Sequence, residues 1–297
     1  MRPKKDRTAV GMPGGVFCFE AEEEKDMSIP RALTIAGSDS GGGAGIQADL
    51  KTFQERHVYG MSAITAITAQ NTQGVTGIYE CSEEAVTRQM EAVATDIGID
   101  AAKTGMIAST SIMEAVAAQV KKHRIHPLVI DPVMVAKSGS SLLEEAARHA
   151  LKRILLPLSH LITPNLPEAE ILVGESLDTD EKRKDAARRL TDMGADAVII
   201  KGGHLQGNQA DDLLYDGGNF HVFTAPRLHT RHTHGTGCTF SAAITAELAK
   251  GHSLLEAVRV AKAYITEAIR HPLNIGQGHG PTNHFAYRHL TVTESHH

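Results

Sequence analysis

A chain of 297 residues, 41% hydrophobic and 22% charged, has room for one large α/β domain or two smaller ones. Its net charge of −5 leaves no broad basic surface for nucleic acid, and no apolar run reaches the roughly 18 residues that would span a bilayer. The cysteines, Cys18, Cys81 and Cys238, are odd in number and far apart, which suits a reduced cytoplasm better than a disulfide framework.

Residues 1–26 are unlike the rest. They open basic (Arg2, Lys4, Lys5, Arg7), end in Glu22-Glu23-Glu24-Lys25-Asp26, and show neither a signal-peptide core nor an amphipathic period. The pattern predicts a disordered leader or a misassigned start, with Met27 as the true first residue and residues 27–297 as one domain.

Arg31 to Gly37 reads as a short apolar strand that breaks into the loop Ser38-Asp39-Ser40-Gly41-Gly42-Gly43-Ala44-Gly45, and Ile46 to Arg56 as a helix. Strand, glycine loop and helix in that order suit a small polar ligand. The glycines miss the dinucleotide fingerprint, because its last position is Ile46. A β-rich run, Ser62 to Ala69, ends in Gln70-Asn71-Thr72, and a second strand follows at Gly77 to Glu80. Ser82 caps a helix to Asp96. Ala101 to Met106 is a strand end whose Lys103-Thr104 lacks the preceding glycine of a phosphate-binding P-loop, and Ser109 to His123 is a helix.

Pro127 to Met134 reads as a buried parallel strand ending in an acid, Asp131. A polar loop (Lys137-Ser138-Gly139-Ser140-Ser141), expected to be mobile, leads to a helix over 142–154. Leu161 to Asn165 is a strand ending toward Leu166-Pro167-Glu168, Glu181 to Met193 a helix, and Ala197 to His204 a strand ending in Lys201-Gly202-Gly203. Leu213 to Phe223 is a hairpin turning at Gly217-Gly218, and helices follow at 240–250 and 253–270. Alternating strands and helices predict a mostly parallel sheet covered on both faces.

The stretch His232-Thr233-His234-Gly235-Thr236-Gly237-Cys238 feeds a helix. A glycine turn at a helix start leaves free N–H groups at the positive end of the dipole, an anion site. Cys238 sits there, where the dipole is expected to lower a thiol pKa. In an open α/β sheet the strand ends share one edge. That edge gathers Asp39, Gln70, Met106, Asp131, Asn165, Glu168, Lys201 and the Gly235–Cys238 turn. Asp131 and Glu168 can hold magnesium through water, and Lys201 and the helix start can hold phosphates. Together they supply what phosphoryl transfer from a nucleotide needs.

The glycine turn resembles the C-terminal signature of the ribokinase superfamily, with Cys238 where sugar kinases carry an aspartate base. With Ala36 to Asp49, Ala69-Gln70-Asn71-Thr72, Lys103-Thr104-Gly105-Met106, Asp131-Pro132-Val133-Met134, Thr163 to Glu168, Lys201-Gly202-Gly203-His204 and Gly278-His279-Gly280-Pro281, residues 28–288 resemble the hydroxymethylpyrimidine/phosphomethylpyrimidine kinases of thiamine biosynthesis. The resemblance implies a single-domain, three-layer α/β/α ribokinase-like fold. It also implies two phosphorylations with Mg2+ and ATP: 4-amino-5-hydroxymethyl-2-methylpyrimidine to its monophosphate, then to the diphosphate. By it, Gln70 reads the pyrimidine, and Gly37, Asp39, Met106 and Val133 line the pocket. Lys201, Asn165 and Thr236 contact ATP, and Asp131 and Glu168 serve magnesium. Cys238 handles the hydroxyl proton, and Gly235, Thr236 and Gly237 stabilise the transferred group together with Lys201. A cytoplasmic homodimer, with no nucleic-acid or membrane partner, is the further expectation. The alternatives are a pyridoxal or pyridoxine kinase, a dual activity, a silent ligand sensor of the same fold, and a metal binder using His229, His232 and His234.

Overall fold

The computed structural model describes residues 28–134, 145–204 and 207–287. The leader expected at 1–26, the proposed start at Met27 and the loop 137–141 lie outside the described residues. The chain runs β1 (Arg31–Asp39), α1 (Gly45–Glu55), β2 (Tyr59–Gln70), β3 (Val75–Glu80), α2 (Glu83–Asp96), β4 (Ala101–Thr104), α3 (Thr110–His123) and β5 (Leu128–Ile130). It continues through α4 (Glu145–Ala150), β6 (Leu161–Ile162), α5 (Leu166–Val173), α6 (Asp180–Asp192), β7 (Val198–Ile200), β8 (Asp212–Tyr215), β9 (Phe220–Phe223), α7 (Thr236–Ala249) and α8 (Leu254–Arg270).

All the strands form one sheet in the order β3-β2-β1-β4-β5-β6-β7-β8-β9. Strands β2, β1, β4, β5, β6 and β7 are mutually parallel, and β3, β8 and β9 are added antiparallel at the two edges. The central strands are apolar on both faces, as a doubly covered parallel sheet requires. Their alternation divides the core. Ala102, Leu128, Ile130, Ile162, Val198 and Ile200 pack with α2 to α6. Their neighbours Ala101, Val129, Leu161 and Ile199 pack with α7 and α8, and α1 joins that layer against α7. This is the three-layer arrangement the sequence led us to expect.

Helix α7 is buried on every side from Thr239 to Leu248, which is why it carries almost no polar face. Its start is therefore held as firmly as the core. Ser82, Ser109, Thr179 and Ser253 each accept a backbone N–H at the start of a helix, an interaction that contributes about 1 kcal/mol apiece.

Two features depart from expectation. The strands read at 127–134, 161–165 and 197–204 shrink to Leu128–Ile130, Leu161–Ile162 and Val198–Ile200. Beyond the first two come Asp131-Pro132 and Thr163-Pro164, where proline lacks a ladder donor and the chain leaves the sheet, and beyond β7 the chain turns at Gly202–His204. The stretch after Asn165, read as a strand end, opens helix α5. Asn165 accepts the Glu168 N–H (2.9 Å), and the Glu168 carboxylate accepts the Asn165 N–H (2.8 Å), a reciprocal capping box with proline in the first turn. Among the described residues, no helix is long and apolar enough to cross a membrane.

Candidate active site

A cavity of about 680 Å3 opens at the carboxyl ends of the parallel strands. Every site residue expected from the sequence lines it: Gly37, Asp39, Gln70, Met106, Asp131, Val133, Asn165, Glu168, Lys201, Gly235, Thr236, Gly237 and Cys238. Its size suits a small-molecule site.

One wall is the loop after β1. Asp39 accepts the N–H groups of Gly41 (2.8 Å), Gly43 (3.1 Å) and Ala44 (2.8 Å), and pairs with His234 Nε2 (2.8 Å). Burial raises its pKa, but the His234 contact and the backbone donors outweigh burial and hold the carboxyl below its ordinary value. Asp39 is thus committed to shaping the loop, which narrows the pocket-lining role expected of it. His234 also lies 3.3 Å from Gln70 Nε2, and Thr68 Oγ1 donates to Gln70 Oε1 (3.1 Å). Gln70 is thereby oriented at the cavity edge. Met106 sits over Gly37, where an added Cβ would meet its terminal methyl at 2.7 Å.

The loop after β1 and the turn before α7 touch backbone to backbone. Gly235 has φ +79, and a Cβ there would overlap the Gly43 carbonyl oxygen, so only glycine allows the approach.

The opposite wall is ionic. Lys201 Nζ lies 3.2 Å from Asp131 Oδ1, and Asp131 also accepts hydroxyls from Thr163 and Ser241, each at 3.3 Å. The first turn of α7 abuts this pair: a Cβ on Gly237 would stand 3.3 Å from Lys201 Nζ and 3.6 Å from Asp131 Oδ2. Burial pulls the Lys201 pKa down, but the Asp131 and Glu168 carboxylates more than reverse it. Burial, reinforced by the Asp131 charge, pushes Glu168 up to about 7 against the pull of Lys201. A divalent cation beside Asp131 and Glu168 would relieve that repulsion, and an all-oxygen carboxylate pair matches magnesium.

Two expectations about the turn need correction. The Thr236 N–H is engaged by the Thr233 carbonyl (3.3 Å), which leaves Gly237 and Cys238 as first-turn N–H groups without a helical acceptor. The Cys238 thiol is not lowered. Burial pushes it up to about 12, ahead of the opposing pull of Lys103, and Asp49 and Asp131 add to the rise. It is a neutral thiol in the ligand-free protein.

Several lining groups were not among the site residues expected from the sequence. Lys103, dismissed as a P-loop lysine, pairs with Asp49 (2.8 Å) beneath the cavity. Arg227 donates to the carbonyls of Gly202, Gly203, Gly207 and Gln209 and so holds the far rim. Ser241, one turn into α7, could have been found from its spacing after Gly237. His229, His232 and His234 do not gather. Among the described residues, the histidine, cysteine and carboxylate group compact enough for an ion is His126, His160 and Asp196 instead.

The sequence model of the family described as phosphomethylpyrimidine kinase matches residues 39–283. The chain is 53% identical to a Bacillus subtilis hydroxymethylpyrimidine/phosphomethylpyrimidine kinase, over 91% of this chain and 100% of that protein. It is 51% identical to a Geobacter sulfurreducens thiamine biosynthesis bifunctional protein, over 85% of this chain and 51% of that protein. Among solved structures it resembles an ADP complex of Bacillus subtilis pyridoxal kinase, with a TM-score of 0.82 and 45% identity, covering 88% of this chain and 99% of that one.

Proposed function

This chain belongs to the phosphomethylpyrimidine kinase family, and from that premise we propose how its cavity performs two successive phosphorylations in thiamine biosynthesis. The enzyme is a bifunctional hydroxymethylpyrimidine/phosphomethylpyrimidine kinase, and ATP is its co-substrate. The observation that carries the site assignment is the Lys201–Asp131 pair set against the first turn of α7, across one cavity from Gln70 and Met106.

The pyrimidine sits between Met106, Gly37 and Val133, with the Gln70 amide on its ring edge. Asp39 and His234 hold the loop that orients Gln70. Lys201 and Asn165 receive the ATP phosphates, Thr236 shapes the turn because its N–H and hydroxyl both donate to the Thr233 carbonyl, and the free first-turn N–H groups face the charge that builds on the transferred group. Asp131 and Glu168 would hold Mg2+ through water, and the ion would neutralise phosphate charge. The substrate hydroxyl oxygen bonds to the γ-phosphorus as the bond to the β-phosphate bridging oxygen breaks. The hydroxyl proton leaves late, as suits a loose transition state. A neutral Cys238 positions that hydroxyl, its sulfur accepting the O–H hydrogen bond, and the proton passes to an oxygen of the transferred phosphoryl group as the new bond forms. In the second step the acceptor is a phosphate already largely ionised, and Cys238 has less to do.

A homodimer in the cytoplasm completes the reading. Ile67 on β2 and its cross-strand partner Tyr79 on the edge strand β3 are exposed on one face of the sheet, an apolar surface suited to a second copy. The test is incubation of the full chain with magnesium, ATP and either hydroxymethylpyrimidine or pyridoxal, with products identified by mass. The pyrimidine monophosphate and then diphosphate are expected. Turnover of pyridoxal alone would overturn the substrate assignment. Turnover of both would establish the dual activity that the resemblance to pyridoxal kinase supports.

A further inference from the structure

At the other end of the same strands lies a second cluster. His126, His160 and Asp196 stand one or two residues before β5, β6 and β7. These strands are parallel neighbours, so their starts share the edge opposite the cavity. The sheet fixes the backbones: the His160 N–H donates to the Leu128 carbonyl (2.9 Å) and the Asp196 N–H to the Ser159 carbonyl (3.0 Å).

One potential ligand atom from each residue falls within 4.8 Å of the others. His160 Nδ1 is 3.3 Å from Asp196 Oδ2, and the two imidazole rings meet edge to face with centroids 5.2 Å apart. A tetrahedral ion with ligands at about 2.1 Å sets its ligand atoms about 3.4 Å from one another. The His160–Asp196 pair already has that spacing. The His126 ring must rotate inward by an ångström or so, and it is exposed and free to do so.

We propose that His126, His160 and Asp196 form a binding site for a divalent transition cation of the zinc, cobalt or nickel class. Two imidazoles and one carboxylate favour those ions over magnesium, which prefers oxygen ligands and keeps its waters. The set leaves a fourth position open to water. An ion there ties together the starts of β5, β6 and β7. It acts on stability and is separated from the kinase cavity by the length of the strands.

The test uses the full chain, stripped with chelator and kept in millimolar magnesium so that oxygen-rich sites are filled. Zinc affinity is measured by chelator competition, and cobalt binding by its visible spectrum, for wild type, His160→Gln and Asp196→Asn. The wild type is expected to bind one zinc ion roughly 100-fold more tightly than His160→Gln, with a cobalt spectrum that the variant loses. Zinc should raise the melting temperature of the wild type alone. Kinase turnover in magnesium should be the same in all three proteins, which shows that the variants are folded. Equal zinc affinity in wild type and both variants, or an identical cobalt spectrum, overturns the proposal.

Discussion

Lys103 Nζ and Asp49 Oδ1 lie 2.8 Å apart, and neither side chain is reached by solvent. The pair joins β4 to α1 beneath Cys238, and Thr34 donates a further hydrogen bond to Asp49 (2.6 Å). Burial alone would pull the lysine toward neutrality, but Asp49, helped by Cys238 and Asp131, more than reverses it and holds the ammonium charged. Removing one partner strands a buried charge. Lys103→Met should therefore cost about 3–5 kcal/mol in urea unfolding, and the double variant Lys103→Met/Asp49→Leu should recover most of it. A single-variant cost below about 1 kcal/mol would show that water reaches the pair.

Cys238 offers a kinetic test. With its pKa pushed up to about 12, iodoacetamide labelling of this residue, followed by peptide mass mapping, should rise about tenfold per pH unit through pH 9 without a plateau. Cys238→Ala, which removes the group that orients the substrate hydroxyl, should lower kcat for the first phosphorylation by about 100-fold and for the second by far less. Equal losses in both steps would make the residue a packing element.

The site was largely legible in the sequence, because an open parallel sheet forces its strand ends to one edge and short polar motifs mark those ends. What escaped notice depends on three-dimensional neighbours. The Asn165–Glu168 capping box is a readable signal, but Leu161-Ile162 just ahead of it gives the same stretch the look of a strand end. The Cys238 pKa could not be read from the helix start, since burial beside Asp49 and Asp131 reverses the dipole's influence. His234 looked like one of several scattered histidines until the fold placed it on Asp39.

Glu168 joins stability to function. Its carboxyl is raised from 4.5 to about 7, so between those values the folded protein holds a proton that the unfolded chain has released. That contribution is complete below pH 4.5 and is lost as the pH climbs through 7. Glu168→Gln keeps a capping side chain but never ionises. The variant should exceed wild type in urea midpoint at pH 8, with the difference shrinking toward pH 5, while its KM for magnesium-ATP rises about tenfold or more. A variant less stable at pH 8 would refute the charge argument.

His284 works in the opposite direction. It is buried against Thr239, with Nε2 3.1 Å from Oγ1, and burial, with a smaller push from Lys51, lowers its pKa from 6.5 to about 4. The unfolded chain takes up the proton first as the pH falls. Its contribution is whole above pH 6.5 and disappears as the pH drops toward 4, a loss of about 3 kcal/mol. Wild type and His284→Gln compared by urea unfolding should differ most near neutrality and converge near pH 4. A constant difference across that range would assign the effect to packing alone.

The contact between Asp39 and His234 spans 195 positions of the chain. His234 is in turn pinned by the Gly280 carbonyl (3.0 Å) and by the Thr282 N–H (3.1 Å). A ribosome releases the loop after β1 early, but its partners emerge only near the end of synthesis. The helices and strands between can condense while the chain is still growing. The acceptor pocket cannot. The acceptor pocket is thus completed late, and a nascent chain cut short before residue 282 holds most of a core but lacks the contacts that pin His234 against Asp39.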